Sequence, residues 1–432
     1  MRALAILAAA FVTVGGQAGA QPAGDDLRAR IAADMPGLTA IYRDLHANPE
    51  LGFQEVRSAR IMAEAARKAG FTVTEKVGKT GVVAVLRNGA GPTVMIRADM
   101  DALPVVEQTG LPFASKVRAV STAGVESGVM HACGHDTHMT AWIATARLMA
   151  ARKAEWSGTL VMIGQPAEET GQGAKAMLDD GLYTRFPKPD YALAFHDMAA
   201  VPAGKITYAS GPAMANVDSV DIKVTGVGGH GAYPQDAKDP IVTAARIVTT
   251  LQTLVSREIA PDDAGVVTVG AFNGGFKHNI IPDEAHLKIT IRSYKDEVRK
   301  TLVEGVARIA KAQALSAGLP ENLAPIVAVE TDALVATYND PALTERVVEV
   351  FTERFGTERV YAIPPTMGGE DFAYFGRTEP KIPSFIFWIG GADPMAVANA
   401  KAGAGPAPPS NHSPFFAPIP APTLKTGVEA MT

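Results

Sequence analysis

The sequence Met-His-Ala-Cys-Gly-His-Asp-Thr-His at residues 130–138 contains Cys133, the only cysteine among 432 residues. It also contains three of the nine histidines, namely His131, His135 and His138. Thiolate sulfur and imidazole nitrogen are ligands that zinc and related divalent metals bind in proteins. A cysteine activated by a nearby histidine is also a common nucleophile. The segment therefore predicts either a metal site or a reactive thiol, and both need further residues from elsewhere in the chain.

Length and composition indicate a globular protein of two domains. Hydrophobic residues make up 47% and charged residues 20% of the chain, as in ordinary folded proteins. Single hydrophobic cores rarely grow beyond roughly 250–300 residues. The formal net charge is −5, and no cluster of lysine and arginine forms a phosphate-binding stripe, which argues against a nucleic-acid partner. One cysteine excludes an internal disulfide.

Residues 1–20 have the pattern of a cleaved secretory signal peptide. A positive start at Met1-Arg2 precedes the apolar run Leu4–Val14, and Ala18-Gly19-Ala20 forms a small-residue cleavage site. The apolar run is too short to span a bilayer comfortably, so no membrane span is expected. The alternative is a buried N-terminal helix. The pattern favours cleavage after Ala20 and export of the mature chain to the periplasm or the medium.

Strands and helices alternate after the signal segment, which predicts a largely parallel sheet covered on both faces. The predicted strands Thr93–Asp99, Thr159–Gly164 and Tyr191–Phe195 each end close to polar side chains. These side chains are Asp99 itself, Glu168-Glu169 and His196. Functional groups of such sheets collect beyond the carboxyl ends of the strands. We therefore expect these residues to converge on one site.

The pattern changes near residue 216. Residues 216–325 predict three strands and two helices, which together form a compact α+β unit. The simplest organisation is one α/β domain, residues 21–215 and 326–432, interrupted by this α+β domain. Beyond residue 326 the strand–helix–strand pattern returns.

Six residues along the chain are eligible ligands for divalent metals: Asp99, Cys133, His135, Glu169, His196 and His412. Each has a structural alternative when taken alone, such as a small buried side chain for Cys133 or a core histidine for His196. Burying two adjacent carboxylates is costly, so the pair Glu168-Glu169 favours one metal ligand and one general base.

His230 lies in the glycine-rich segment 226–231. This segment lacks the Lys-Ser/Thr of a phosphate-binding loop. A histidine that donates a hydrogen bond across to the other domain is the better interpretation.

Nine short motifs occur in order from residue 44 to the C-terminal segment: residues 44–46, 48–53, 97–104, 130–136, 165–169, 229–234, 279–282, 367–372 and 412–414. Taken together, they resemble the amidohydrolases that include hippurate hydrolase, N-acyl-amino-acid hydrolases and plant indole-acetyl-amino-acid hydrolases. These enzymes belong to the aminoacylase-like di-metal peptidase superfamily. The resemblance implies a catalytic domain with a mainly parallel central sheet. It also implies a ferredoxin-like α+β insertion that serves as lid and dimerisation domain.

The resemblance also implies a role for each matching residue. The expected metal ligands are Cys133, His135, Glu169, His196 and His412, and the expected general base is Glu168. His230 would stabilise the oxyanion, Asn279 and Arg292 would hold a substrate carboxylate, and Gly369 would offer backbone contact. Asp99 would position its neighbours, because Cys133 takes the place of the bridging carboxylate of other branches. Family members usually finish with a full helix, whereas residues 427–432 predict only one or two turns.

The resulting hypothesis is an amidohydrolase with two divalent metal ions that splits N-acyl amino acids into a carboxylic acid and an amino acid. Manganese or zinc is expected, and cobalt and nickel also suit such ligands. A homodimer is expected, with His230 serving its own site or the partner's. The alternatives are a metallo-carboxypeptidase or dipeptidase of the same superfamily, a hydrolase with Cys133 as nucleophile, and a non-catalytic metal-dependent binding protein. A zinc deaminase is disfavoured because its second cysteine pair is absent.

Overall fold

The computed structural model describes residues 23–330 and 333–432. The predicted signal peptide lies outside these residues. The chain begins with the elements α1 (Ala23–Ala47), α2 (Val56–Lys68), β1 (Thr72–Val77), β2 (Gly81–Asn88), β3 (Thr93–Asp99), β4 (Arg118–Val120), β5 (Glu126–Gly128), α3 (His135–Ala151), β6 (Gly158–Gln165), α4 (Gly173–Asp179), α5 (Leu182–Arg185), β7 (Tyr191–Pro202), β8 (Ile206–Tyr208) and β9 (Gly211–Met214). These elements form the larger part of an α/β unit.

A second group of elements follows: β10 (Asn216–Thr225), β11 (Gly229–His230), α6 (Pro240–Thr253), β12 (Gly265–Gly274), β13 (Ile280–Ile281), β14 (Glu284–Ser293), α7 (Asp296–Ser316) and β15 (Ile326–Val329). The chain then returns to the first unit with β16 (Thr337–Asn339), α8 (Pro341–Phe355), β17 (Val360–Ala362), α9 (Ala373–Gly376), β18 (Ser384–Ala392), α10 (Pro394–Lys401) and α11 (Pro420–Met431).

An eight-stranded sheet of order β1-β2-β6-β3-β7-β18-β8-β17 forms the centre of the α/β unit. Its four central strands, β6, β3, β7 and β18, are parallel. Antiparallel pairs join β1 to β2, β2 to β6 and β18 to β8. Strand β18 is buried along its whole length, as expected for a strand covered on both faces. The predicted mainly parallel central sheet is confirmed.

The second group forms a smaller α+β unit with its own hydrophobic core. Its sheet has the order β12-β14-β10-β15, all pairs are antiparallel, and α6 and α7 pack against it. This is the βαββαβ arrangement of ferredoxin-like folds. The predicted end of this unit at residue 325 is too early, because residues 326–329 form β15 and pair with β10. Without β15, one edge of β10 would have unpaired backbone donors and acceptors, and β15 satisfies them. The roles of this unit as lid and dimerisation domain stay predictions.

Two further sequence-based expectations are wrong. Strand β7 does not end at Phe195 but continues to Pro202, because it pairs with β18 through His196 and beyond. The last helix is longer than two turns: α11 has 12 residues. It begins with Pro420, which suits the first turn of a helix, and it buries Leu424 and Val428 in the main core. Across residues 23–330 and 333–432, none of the helices combines the length and the apolar character that crossing a membrane requires.

Candidate active site

Residues from five separate segments meet at the carboxyl edge of the parallel strands. Asp99 ends β3, Cys133 and His135 lie at the start of α3, and Glu169 follows β6. His196 lies in β7, and the last segment contributes His412, 279 residues after Cys133. The predicted convergence of strand ends is therefore present.

Gly134 lets Cys133 and His135 reach this edge together. It has a left-handed backbone with φ 86° as the N-cap of α3. A Cβ at this position would lie 2.5 Å from Oδ2 of Asp197. Only glycine adopts this conformation at low cost and leaves that space free. The residue between the two candidate ligands is therefore fixed by backbone geometry.

The thiol of Cys133 lies between two imidazoles. Its Sγ is 3.3 Å from Nε2 of His196 and 3.2 Å from Nε2 of His412. Oε2 of Glu169 is 3.4 Å from the same nitrogen of His412. Nε2 of His135 lies 3.8 Å from Oε1 of Glu169. All five predicted ligands thus face a common space.

These five residues form two groups of three that share the thiol. Cys133, His135 and His196 form one group, and Cys133, Glu169 and His412 form the other; within each group the ligand atoms lie within 4.8 Å of one another. Nε2 of His135 and Oε1 of Glu169 are buried without a hydrogen-bond partner. Buried polar atoms are normally paired. Two orphaned atoms among thiolate, imidazole and carboxylate donors fit a pair of divalent metal ions.

Backbone carbonyls orient two of these imidazoles. Nδ1 of His135 donates to the carbonyl of Asp101 at 2.8 Å, and Nδ1 of His196 donates to the carbonyl of Asp197 at 2.7 Å. A carbonyl only accepts, so the proton of each ring lies on Nδ1. Each Nε2 is then free to bind a metal, which is the usual arrangement of metal-binding histidines.

Burial and mutual repulsion disfavour charge on the acidic groups of the site. Burial raises the pKa of Glu168 well above its ordinary value, and the charges of Glu370 and Glu169 raise it further. Burial also raises the pKa of Glu169 to about 8, although the charge of His135 opposes this. The Cys133 thiol has its pKa raised by burial and then by Glu169 and Glu168. So many acidic groups in one buried space call for compensating positive charge.

Asp99 is fully buried behind these groups. It accepts from Arg97 at 2.5 Å and contacts Nδ1 of His138 at 2.5 Å. Burial would raise its pKa, but the charges of Arg97 and His135 outweigh that effect and hold the pKa well below its ordinary value. The positioning role of Asp99 stays a prediction. Asp99 lies 3.6 Å from Nε2 of His135, within reach of the site.

Sequence reasoning missed the importance of Arg97 and Glu370. The buried Arg97 guanidinium donates to Oε1 of Glu370 at 2.7 Å and to Oε1 of Gln165 at 2.8 Å. It also pairs with Asp371 at 3.4 Å. The available signal was an arginine in an otherwise apolar strand, because a buried charge needs partners.

A cavity of about 690 Å³ opens onto the candidate ligands. Cys133, Glu168, Glu169, His196 and His412 line one side of it. The predicted substrate-binding residues Arg292 and Gly369 also line it, together with the apolar side chains of Met198, Met214, Val217 and Leu334. Arg292 and Gly369 are therefore close to the site, as expected.

His230 and Asn279 lie elsewhere. His230 ends β11, and Asn279 directly precedes β13 in the same short ribbon. Gly231 N donates to the carbonyl of Asn279 at 2.9 Å. His230 is exposed, and its Nδ1 accepts from Ala232 N at 3.0 Å. Among the described residues, neither is part of the cavity lining. The structure does not bring these two predicted residues to the site.

Residues 95–402 match the family model described as peptidase family M20/M25/M40. The chain belongs to this family. It is 40% identical over 339 residues to a hippurate hydrolase of Campylobacter jejuni, and the match covers 78% of this chain and 84% of that protein. It is 37% identical over 355 residues to an N-acetylcysteine deacetylase of Bacillus subtilis, and the match covers 82% of this chain and 88% of that protein.

A solved M20 structure has a similar fold over nearly the whole chain. The YXEP protein of Bacillus subtilis, described as a dinuclear metal binding peptidase, matches with a TM-score of 0.70 and 29% identity. The match covers 94% of this chain and 98% of that one. The family match and the similar hydrolases identify the present chain as a hydrolase that acts on amide bonds. The predicted family resemblance is confirmed.

Proposed function

We propose that the chain is a metal-dependent amidohydrolase that cleaves N-acyl amino acids into a carboxylic acid and a free amino acid. One observation carries this proposal: Glu168 lies beside the two groups of candidate ligands in a cavity that also contains the Arg292 side chain. An acidic base at the reacting centre and a guanidinium in the same cavity match an amide that has a carboxylate next to it. The similarity to a hippurate hydrolase and an N-acetylcysteine deacetylase supports the same substrate class.

Cys133, His135, Glu169, His196 and His412 would hold two divalent metal ions. When bound, such ions supply Lewis-acid chemistry, which polarises a carbonyl and makes water more acidic. Glu168 does not need to be a ligand, because each of the two candidate groups has three ligand atoms without it. Its carboxylate removes a proton from the attacking water and returns that proton to the leaving nitrogen.

Glu168 is suited to hold a proton between these two steps. Burial raises its pKa well above the ordinary value, and Glu370 and Glu169 raise it further. A base with a raised pKa accepts a proton more readily near neutral pH. Glu168 as a whole is only 7% exposed, so little of it contacts bulk water.

Arg292 selects the carboxylate of the amino acid part. Its Nε donates to Oγ1 of Thr290 at 3.1 Å, and Nη1 donates to the carbonyl of Met367 at 3.4 Å. These contacts involve Nε and Nη1, and Arg292 also lines the cavity. The apolar side chains of Met214, Val217 and Leu334 provide the surroundings that an acyl group requires.

His230 and Asn279 complete the proposal from outside this cavity. We propose that the protein is a homodimer. The ribbon of β11 and β13 either reaches the partner's site or moves over the site of its own chain when the smaller α+β unit closes. Equilibrium sedimentation gives the oligomeric state. Mixing His230→Ala with Glu168→Ala protein separates the two routes, because only a shared site regains activity on mixing.

The proposal extends to location. The signal-like segment of residues 1–20 supports export to the periplasm or the medium. Fractionation of cells that express the full chain, with N-terminal sequencing of the product, tests this location and the cleavage after Ala20.

The decisive experiment combines metal analysis with a substrate screen. Purified protein is expected to hold two divalent ions per chain, to lose activity in EDTA, and to regain it with manganese or zinc. It should hydrolyse at least one of the N-acetyl, N-benzoyl and indole-acetyl amino acids. Activity restricted to dipeptides would instead assign a dipeptidase, and release of the C-terminal residue from longer peptides would assign a carboxypeptidase. Activity that survives EDTA but not iodoacetamide would assign Cys133 as nucleophile, a role that its raised thiol pKa disfavours.

A further inference from the structure

Asn411 joins three segments that carry candidate metal ligands. Its Oδ1 accepts from Ala199 N at 3.0 Å, in the strand that contains His196. Its Nδ2 lies 3.2 Å from the carbonyl of Asp197 and 3.5 Å from the carbonyl of Cys133. A backbone N–H only donates and a carbonyl only accepts, so these neighbours fix the orientation of the amide.

The segment that carries His412 has few other attachments. Residues 402–407 and 409–410, which lead into it, are exposed. His412 itself has a left-handed backbone with φ 69°, which costs free energy for a residue other than glycine. Its own backbone N–H donates to the carbonyl of Ala132 at 2.8 Å. A strained residue at the end of an exposed loop needs its neighbours to hold it in place.

The carbonyl of Asp197 receives a second donor, Nδ1 of His196, at 2.7 Å. Asn411 therefore shares the carbonyl of Asp197 with His196, directly precedes His412 in the chain, and contacts the backbone carbonyl of Cys133. These three ligands are His196, His412 and Cys133, which include members of both candidate groups. The Thr137 hydroxyl also links the segment of Cys133 to that of His196, through Gly134 and Asp197. Asn411 links both of these segments to the segment of His412.

We propose that Asn411 is a positioning residue that fixes His412 relative to Cys133 and His196, and so sets the affinity of the chain for its divalent metals. The proposal rests on the ligand set of the proposed function. Neighbours of metal ligands typically alter metal affinity by about 10–100-fold when replaced. Asn411 has this effect through its amide, which both donates and accepts.

The test compares full-length wild-type protein with Asn411→Ala, Asn411→Leu and Ser410→Ala. Leucine fills the space of asparagine without making hydrogen bonds. Ser410→Ala changes an exposed neighbour and is the matched control. Each metal-free protein is titrated with Co²⁺, whose absorption reports thiolate coordination, and with Zn²⁺ in competition with a chelator. Thermal unfolding of the metal-free proteins reports the fold.

Asn411→Ala and Asn411→Leu are both expected to bind Zn²⁺ about 10–100-fold more weakly, with an altered cobalt–thiolate band and a metal-free melting temperature close to that of Ser410→Ala. Wild-type affinity in either variant overturns the proposal. So does a large fall in the melting temperature of both metal-free variants, because Asn411 would then support the fold. If the wild-type protein itself binds no metal, the proposed function fails first.

Discussion

Replacing Arg97 with methionine should destabilise the chain by about 3–5 kcal/mol, which is typical for removing one partner of a buried ion pair. Arg97 lies in β3, at the centre of the main sheet, and is 1% exposed. It is 2.5 Å from Asp99, 2.7 Å from Glu370 and 3.4 Å from Asp371. Methionine keeps most of the length of the side chain but leaves these carboxylates without their cation.

The expected loss follows from the number of carboxylates that one guanidinium serves. Each buried carboxylate without a partner costs several kcal/mol unless it takes up a proton. Proton uptake limits the cost, which is why the sum over three groups is not simply additive. Whole proteins are stable by roughly 5–15 kcal/mol, so this change should remove a large part of the total.

Urea unfolding of the metal-free proteins measures this effect, with Arg118→Met as the control. Arg118 pairs with Glu126 at 3.0 Å, but these side chains are 57% and 62% exposed. Exposed pairs contribute about 0–1 kcal/mol. A loss below about 1 kcal/mol for Arg97→Met, or equal losses for the two variants, would refute the view that Arg97 neutralises the buried carboxylates.

Three further changes test the site and its surroundings. Glu168→Gln should lower kcat by about 10²–10⁴-fold with the metal content unchanged; wild-type turnover by the loaded variant would remove Glu168 from the mechanism. Leu334→Ala should raise kcat/KM for N-benzoyl relative to N-acetyl substrates roughly tenfold, because Leu334 lines the cavity between Gly171 and Gly369; an unchanged ratio contradicts this. Burial and Asp101 raise the pKa of Glu55 to about 7, so folding takes up a proton and stability falls as pH rises from about 4.5 to 7. Glu55→Gln lacks this fall, and urea unfolding at pH 5 and pH 8 should show it gaining stability relative to the wild type at the higher pH; a difference independent of pH would show that Glu55 does not titrate in this range.

Much of the site could be predicted from local sequence because its chemistry depends on local geometry. Cys133 and His135 share one turn around a glycine, and Glu168 and Glu169 directly follow a buried strand. Parallel strands bring their carboxyl ends to one edge of a sheet, whatever the sequence between them. The alternation of strands and helices therefore predicted both the main sheet and the place of its functional groups.

The tertiary structure alone decided how distant groups pair. His412 reaches Cys133 across 279 residues, and Arg97 meets Glu370 across 273. Spacing along the chain does not encode such contacts, because loop closure over hundreds of residues depends weakly on loop length. The family resemblance implied that His412 is a metal ligand but did not explain how it is oriented. In the structure the neighbouring Asn411 contacts the segments of Cys133 and His196.

The sequence by itself determined which residues can bind metals and which strands carry them there, since residue type, period and turn chemistry are local properties. Only the tertiary structure decided that Arg292 and Gly369 line the cavity whereas His230 and Asn279 do not. All four belong to recognisable motifs or strands. Three of them, Arg292, His230 and Asn279, lie in the smaller unit. Their distances from the site depend on how the smaller sheet lies against the larger one, and packing between units is a property of whole surfaces rather than of short segments.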